Sequence, residues 1–497
     1  MSHVIQCYRS SVSCSLSHRL PLALNKRRRH WMRVFFIWSC LLCHSVTCVA
    51  QEDIGLRMAT SVLPEPNPEQ VPIPLPDPGG INGLTLESVE QLALGSNPSV
   101  QRAAAMVAAA GGNWVQVGLA PNPSVGYEGQ QIGSGGLAEQ HGVLFSQEIV
   151  RGGKLRLNRA VAGSEQMRLE QELAAQQQRV LTDVRIAFYQ VLLAQRQIDL
   201  TQNLIRISGE GSRAVDSLFQ SKEVGRTDVL QAQLETENAQ ILRQNAQHRY
   251  DSAWQSLSAV IGDPNLPHQV LVGDAEAPPK DFNFDQARSR LLALSPELAS
   301  ASMAVQRARA AVDRERVEPI PNVTVQGLVN WQDNGIGGKP DGGLAVSIPI
   351  PVFNRNQGGV ARAQQELVAA SRAVSQLELD LQNRLAPVFE RYANARNQVT
   401  RYRDVILPAA DESLGLTRKT YTAGESNYTT LLTAQRTFSQ TQLGYLEALR
   451  ALRIAEIQID GLLLSGSLES SPTGSSALEI GGGVQTEPVG AIGLVPQ

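Results

Sequence analysis

The chain has 497 residues, 18% of them charged and 5% aromatic, with a formal net charge of −3. That length allows two to four domains of roughly 150 residues, and the near-neutral charge, with no polybasic run beyond residue 33, leaves no electrostatic footprint for nucleic acid. All five cysteines precede residue 50, so a chain processed after Ala50 has no disulfide, thiolate metal site or cysteine nucleophile.

Residues 1–50 read as a secretory signal. Lys26-Arg27-Arg28-Arg29 precedes an apolar stretch from Val34 to Leu42, and Cys48-Val49-Ala50 precedes the polar Gln51-Glu52-Asp53. The apolar stretch is shorter than the ~20 residues a spanning helix needs. Met32 offers an internal start, which would leave residues 1–31 untranslated, and Cys48 is an alternative lipidation site. Residues 51–83 form a linker dense in proline from Pro64 to Pro78, which favours extended chain. Residues 465–497 are Ser/Gly-rich and predict a disordered tail.

Between these segments one unit is written twice, over residues 84–283 and 284–464. Leu86 answers Phe284, Asn97-Pro98 answers Ser295-Pro296, and Pro121-Asn122 answers Pro321-Asn322. Gly225 answers Gly424 and Gly262 answers Gly461, all at nearly one offset. Each copy reads as helix, strand pair, long helix, tight turn, helix. Gly153 to Lys222 is predicted helical, with Leu181, Val184, Phe188, Val191 and Ile198 on one face. Its counterpart runs from about Gly359 to Tyr421. Leu431, Phe438, Tyr445, Leu452 and Ile459 then recur every seventh residue, the coiled-coil step. Gly209 and Gly211 in one long helix and Pro408 in the other predict matching interruptions.

The strand pairs alternate strictly. Val125 and Tyr127, then Val143 and Phe145, form the apolar positions of copy one, around a turn at Gly133–Gly136. Val323, Val325, Val329 and Trp331, then Leu344, Val346, Ile348 and Ile350, form those of copy two, around a polar, flexible loop at residues 333–340. Period two gives one apolar and one polar face. One reading is a half-buried sheet packed on the protein's own helices. The other is a lipid-facing wall, with Val125, Tyr127, Val143, Phe145, Val323, Val325, Val329, Trp331, Leu344, Val346 and Ile348 toward the lipid. No apolar run of 18 residues follows the signal, so a helix is not the spanning element. Four strands cannot close alone, so a membrane wall requires several chains. The residues predict a mainly α chain with a small β part.

Over Leu84–Leu464 the doubled unit, the Pro-Asn pairs and the turn motif together resemble the TolC-type outer-membrane efflux proteins. The turn reads Val224-Gly225-Arg226-Thr227-Asp228-Val229-Leu230-Gln231-Ala232-Gln233 in copy one. In copy two it reads Ala423-Gly424-Glu425-Ser426-Asn427-Tyr428, then Ala434-Gln435. The resemblance implies a homotrimer in the outer membrane of a Gram-negative-type cell. Its two hairpins per chain would contribute to a twelve-stranded transmembrane β-barrel, and its coiled-coil helices would form an α-barrel through the periplasm. It also implies an inner-membrane pump and a periplasmic adaptor as partners, with outer-membrane lipid around the barrel. Gly225, Arg226, Thr227, Asp228, Gly424, Glu425 and Ser426 would lie at the periplasmic tips and aperture. Thr430 and Thr433 stand where some members carry an acidic pair. Asp228 reads either as charge at that aperture or as a helix-capping residue.

Pro121-Asn122-Pro123, and Ser146-Gln147-Glu148 leading to Gly152-Gly153-Lys154, resemble the branch serving heavy-metal cation pumps of the resistance-nodulation-division class. The implied function is a passive exit channel, with no catalytic residue, cofactor or bound metal. His141, His248 and His268 are not at ligand spacing, and Gly152-Gly153-Lys154 lacks the pattern of a phosphate loop. A channel for type I protein secretion or drug efflux is an alternative within the class. A periplasmic coiled-coil adaptor or scaffold is the alternative outside it.

Overall fold

The computed structural model describes residues 83–132, 138–331 and 339–469. The signal segment, the linker through residue 82, the turn at 133–136, the loop through residue 338 and the tail beyond residue 469 lie outside the described residues.

Copy one begins with β1 (Leu84–Thr85), α1 (Leu86–Ser96) and α2 (Pro98–Gln116). Thr85 and Ser88 cap the start of α1 reciprocally. Asn97 separates the two helices, and its Oδ1 accepts from the Ser99 amide at 2.8 Å. Pro98 opens α2, where a missing amide costs nothing. Strands β2 (Ser124–Ile132) and β3 (Ala138–Ile149) follow, then α3 (Lys154–Gln220) and α4 (Arg226–Ile261). After β4 (Leu271–Val272), which pairs in parallel with β1, copy two repeats the order. It comprises α5 (Phe284–Leu294), α6 (Pro296–Val317), β5 (Val323–Trp331), β6 (Asp341–Ser347), α7 (Gln357–Arg401), a π-helical turn (Tyr402–Ile406), α8 (Leu407–Thr422) and α9 (Tyr428–Asp460).

Length matches length. Helices α1 and α5 have 11 residues each, and α4 and α9 have 36 and 33. The 67 residues of α3 are answered by pieces of 45, 5 and 16 residues that run on without a gap. At about 1.5 Å per residue, α3 reaches on the order of 100 Å.

The expected interruptions take a different form. Helix α3 passes through Gly209 and Gly211 unbroken. A glycine costs only about 1 kcal/mol in a helix, which packing along α4 offsets. Pro408 interrupts the regular α-helix without ending it: the residue four before it, Asp404, lies in the π-helical turn through which α7 runs on into α8, as the missing amide and the bulk of the proline ring require. The irregularity falls upstream, in the π-helical turn. There the Tyr402 ring lies over Gly444 so closely that a Cβ would stand 2.6 Å from the Tyr402 hydroxyl.

The main core lies midway along the long helices. Val184, Phe188, Val191, Trp254, Leu257, Leu381, Leu385, Tyr392, Leu449 and Leu452 are all buried in it, with α1 and α5 packed alongside. Of the seven-residue series on α9, Leu431, Tyr445, Leu452 and Ile459 are buried. The copies diverge where they hold the connector between them. Copy one uses Trp254, whose indole donates to the Leu266 carbonyl at 3.1 Å. Copy two, 199 residues on, places Arg453 and Glu456. Arg453 donates to the Ala275 carbonyl at 3.0 Å, and Glu456 accepts from the Lys280 amide at 2.9 Å. The tail is ordered at its start. The amides of Gly466 and Ser467 donate to the Asp183 carboxylate at 3.2 and 2.6 Å, so the expected disorder does not begin at residue 465.

One charge cluster joins the copies. Glu297 at the start of α6 accepts from Arg179 of α3 at 2.6 Å and from Arg384 of α7 at 2.7 Å. Burial opposes its charge, but the hydrogen bonds and positive charge of Arg384 and Arg179 outweigh that and hold its pKa below the usual carboxylate value. A depressed carboxylate stabilises above its unfolded pKa and loses that contribution as pH falls through its folded pKa. Glu297→Gln should therefore lower stability by about 1–2 kcal/mol near neutral pH and shrink the gap from wild type in acid. Thermal melts across pH check this, and a constant gap would contradict it.

Candidate functional site

Two regions carry the expected functional residues: the sheet at one end of the long helices and the two turns at the other. The sheet is a single antiparallel ladder in the order β2-β3-β5-β6. Directly paired residues in such a ladder share a face. The register pairs Val125 with Phe145, Phe145 with Gly327 and Gly327 with Leu344. It likewise pairs Tyr127 with Val143, Val143 with Val329, and Val325 with Val346. Trp331 faces His141, and Val323 faces Ile149. All the strand residues expected on the apolar side therefore fall on one face. Ile348 lies one residue past the end of β6, and Ile350 lies further out. Pro349 and Pro351 have no amide to donate, and the ladder ends before them.

That face is bare. Val125 is 73% exposed, Tyr127 66% and Leu344 77%. Among the described residues no helix covers it, so the sheet is not half-buried on the described helices. The opposite face carries Ser124, Glu128, Ser146, Glu148, Thr324, Gln326, Asn330, Asp341 and Ser347. The alternation is not perfect. Leu144 and Leu328 pair on the polar face, and His141 sits on the apolar one, where it shares a hydrogen bond with the Tyr127 hydroxyl. Neither strand Lys nor strand Arg occurs among the described residues. Among the described residues, strands β2 and β6 each leave one edge without a partner.

The turns are less alike than their glycines imply. Gly424 has φ 77° and ends α8 with its amide donating to the Tyr421 carbonyl at 3.0 Å. The residue that does this in copy one is Lys222, φ 62°, donating to Phe219 at 3.0 Å. Gly225, φ −83°, instead precedes α4, as Asn427 precedes α9. Within the turns the copies are thus offset by 202 residues, which also brings Ala232-Gln233 onto Ala434-Gln435. The pairing of Gly225 with Gly424 is a correspondence of sequence, not of position.

Each helix start is capped by a different logic. Asp228 reaches back to accept from the Gly225 amide at 3.1 Å. Asn427 reaches forward to accept from the Thr430 amide at 2.9 Å. Asp228 is thus a capping residue. Thr430 and Thr433 are exposed and uncharged. Their hydroxyls donate to Asn427 Oδ1 and the Thr429 carbonyl, and with Ser413, Thr417 and Thr437 they line a hydroxyl-rich groove beside α8 and α9. Arg226, Thr227 and Glu425 are exposed at the ends, and the Ser426 hydroxyl accepts from Thr420 at 3.2 Å.

Sequence patterning did not reveal what ties the two turns together. Val215, Val229, Ala232, Tyr428, Leu431 and Leu432 form a second core across both copies. Burial, then the Glu235 carboxylate, push the Tyr428 hydroxyl up to about 12, so it stays neutral at physiological pH. Ion pairs at the surface reinforce the link: Arg436–Glu235 at 2.8 Å and Arg418–Glu210 at 3.5 Å. Among the described residues no three His, Cys, Asp or Glu side chains gather as a metal site. No described helix is long and apolar enough to cross a membrane.

The family described as outer membrane efflux protein matches residues 89–263 and 287–463, one stretch in each copy. The cobalt-zinc-cadmium resistance protein CzcC of Cupriavidus metallidurans is 27% identical over 388 residues, covering 76% of this chain and 90% of that protein. The alkaline protease secretion protein AprF of Pseudomonas aeruginosa is 24% identical over 303 residues, covering 57% of this chain and 62% of that protein. Among solved structures, CusC superposes with a TM-score of 0.64 at 17% identity, over 77% of this chain and 92% of that one. The outer membrane protein VceC of Vibrio cholerae superposes with a TM-score of 0.62 at 16% identity, over 76% and 96%. At these identities the structures share the fold.

The turn geometry separates the two glycines. Gly424→Ala should cost about 1–2 kcal/mol, because a side chain at that φ crowds its own carbonyl. Gly225→Ala, which meets no positive φ and forfeits only glycine's N-cap preference over alanine, should cost less, about 0.5 kcal/mol. Limited proteolysis of the turns together with thermal melts reads both, and equal effects would contradict the assignment.

Proposed function

Because the chain belongs to the outer membrane efflux protein family, we propose that it forms the outer-membrane exit conduit of a tripartite system as a homotrimer, and that its cargo is heavy-metal cations. The carrying observation is the sheet: one bare apolar face, one polar face and two open edges. In lipid an unpaired edge leaves backbone groups that nothing solvates. With four strands per chain, edge β6 of one copy must pair with edge β2 of the next. Three copies give twelve strands, a barrel wide enough to hold water. The strands have 9, 12, 9 and 7 residues, against the ~9–11 that a tilted spanning strand needs.

In this reading the long helices carry the conduit across the periplasm, and the turns bearing Arg226, Thr227, Glu425 and Ser426 meet the adaptor. Pump and adaptor do the work, while the channel lets cargo leave. Passage requires weak contacts rather than a tight site, which fits the uncharged Thr430 and Thr433 near the aperture. The likeness to CzcC supports metal cations as cargo. The likeness to AprF supports a second reading, polypeptide secretion, over a shorter stretch.

Two experiments test this. Leu344→Arg, on the bare face opposite the middle of β5, should lose about 2–4 kcal/mol of membrane stability and abolish trimers in outer-membrane fractions, whereas Gln326→Arg, on the opposite face, should leave them. Equal behaviour would refute the lipid-facing assignment. Cells lacking the chain should lose tolerance to cobalt, zinc and cadmium while still exporting proteases. The opposite pattern would favour secretion.

A further inference from the structure

Both copies carry arginines where the sheet gives way to a long helix. The chain leaves β3 at Ile149, passes Arg151 and two glycines at φ 69° and 67°, and enters α3. It leaves β6 at Ser347, passes the exposed Ile348, Ile350, Val352 and Phe353, and enters α7 through Arg355 and Asn356, φ 55°. From residue 150 to residue 164 the charged residues are Arg151, Lys154, Arg156 and Arg159. From residue 348 to residue 365 they are Arg355 and Arg362. All are positive, and neither helix has an acidic residue in its first turn. A helix start carries partial positive charge, so cations there are unfavourable unless an anion compensates them.

Three of the six are accounted for. Lys154 is 3.6 Å from Glu318, Arg362 is 3.8 Å from Glu315, and Arg159 stacks 5.1 Å above the Trp114 ring. Arg151, Arg156 and Arg355 are exposed. Among the described residues none of them has a carboxylate within 4.0 Å. Arg156 folds its guanidinium back to 4.0 Å from a Cβ position on Gly153, beside Arg151. Their place is set by the register. Ile149 and Val323 make the last paired rung of the apolar face; Arg151 follows it by two residues, Arg156 lies at the start of α3, and Arg355 lies just before α7.

We propose that Arg151, Arg156 and Arg355 form a belt that binds the headgroups of anionic phospholipids in the leaflet on the helix side of the barrel. The belt rests on reading the sheet as a membrane wall. Where that wall ends, acyl chains give way to phosphates, and a guanidinium matches phosphate bidentately while its stem lies on apolar surface. The neighbouring Ile149, Ile348 and Ile350 give the acyl chains a surface continuous with the strand face. Because both copies contribute, a trimer carries the belt around its whole circumference.

The test is electron paramagnetic resonance of the full-length trimer in phosphatidylcholine vesicles containing a minority of spin-labelled phosphatidylglycerol. Wild type should immobilise labelled phosphatidylglycerol in preference to labelled phosphatidylcholine, and the preference should weaken with added salt. R151Q/R156Q/R355Q should lower it by roughly fivefold or more, on the scale of one charge at an anionic surface. R151K/R156K/R355K, which keeps the charge, should retain most of it. An inserted wild-type trimer without preference, a glutamine variant that keeps it, or displacement by inorganic phosphate well beyond that by chloride at equal ionic strength would each overturn the belt and leave the channel standing. Failure of the wild type to insert would overturn both.

Discussion

Strands β2 and β6 each present one row of backbone amides and carbonyls with no partner among the described residues. In water such an edge is a liability that charge or a bulge can blunt. In the proposed barrel the bare apolar face meets lipid, and the edge would stand where water cannot reach. Satisfying it demands another copy of the same sheet, because a closed ring of identical sheets leaves no edge. Oligomerisation is then a requirement of hydrogen bonding rather than an addition to a finished monomer.

The helical part answers the same demand at a distance. Two copies of one unit give two long helices of nearly equal reach, joined at mid-length by the core around Phe188, Trp254, Leu385 and Leu452 and by Glu297 between Arg179 and Arg384. At the far end only a small core holds the copies together, around Tyr428 and Val229. The ion pairs beside it lie at the surface and are worth little each. The larger core lies midway along the helices and the smaller one at the turns. The π-helical turn at Tyr402–Ile406 has no equivalent in copy one. The copies are alike in plan and unlike in detail, and the details differ toward the turns.

Much of this was legible in the sequence because it rests on period and punctuation. Alternation at Val323–Trp331 determined the face each residue takes, and the seven-residue series on α9 determined what packs. Asn97-Pro98 and Ser295-Pro296 marked where helices part. What escaped was set by contacts between distant residues. Nothing local distinguishes Gly225, which precedes a helix, from Gly424, which ends one. The αL position of copy one fell on a lysine, which carries no sequence signal for it. Gly209 and Gly211 predict a break that packing along α4 absorbs, whereas Pro408 leaves its mark as the π-helical turn just before it. Glu297, Tyr428 and the Arg453–Glu456 pair belong to the same class, since their partners lie far away in the chain.

The pairing of β6 with β2 across chains is the claim on which the rest depends. Apart from the five cysteines before residue 50 the chain has none, so cysteine pairs introduced one on each edge, at positions 124–130 of β2 and 341–347 of β6, report the contact by oxidation in outer-membrane fractions. The account predicts that one register of pairs yields covalent dimers and trimers and nothing larger. Monomers alone at every pair, or ladders extending past three chains, would contradict it.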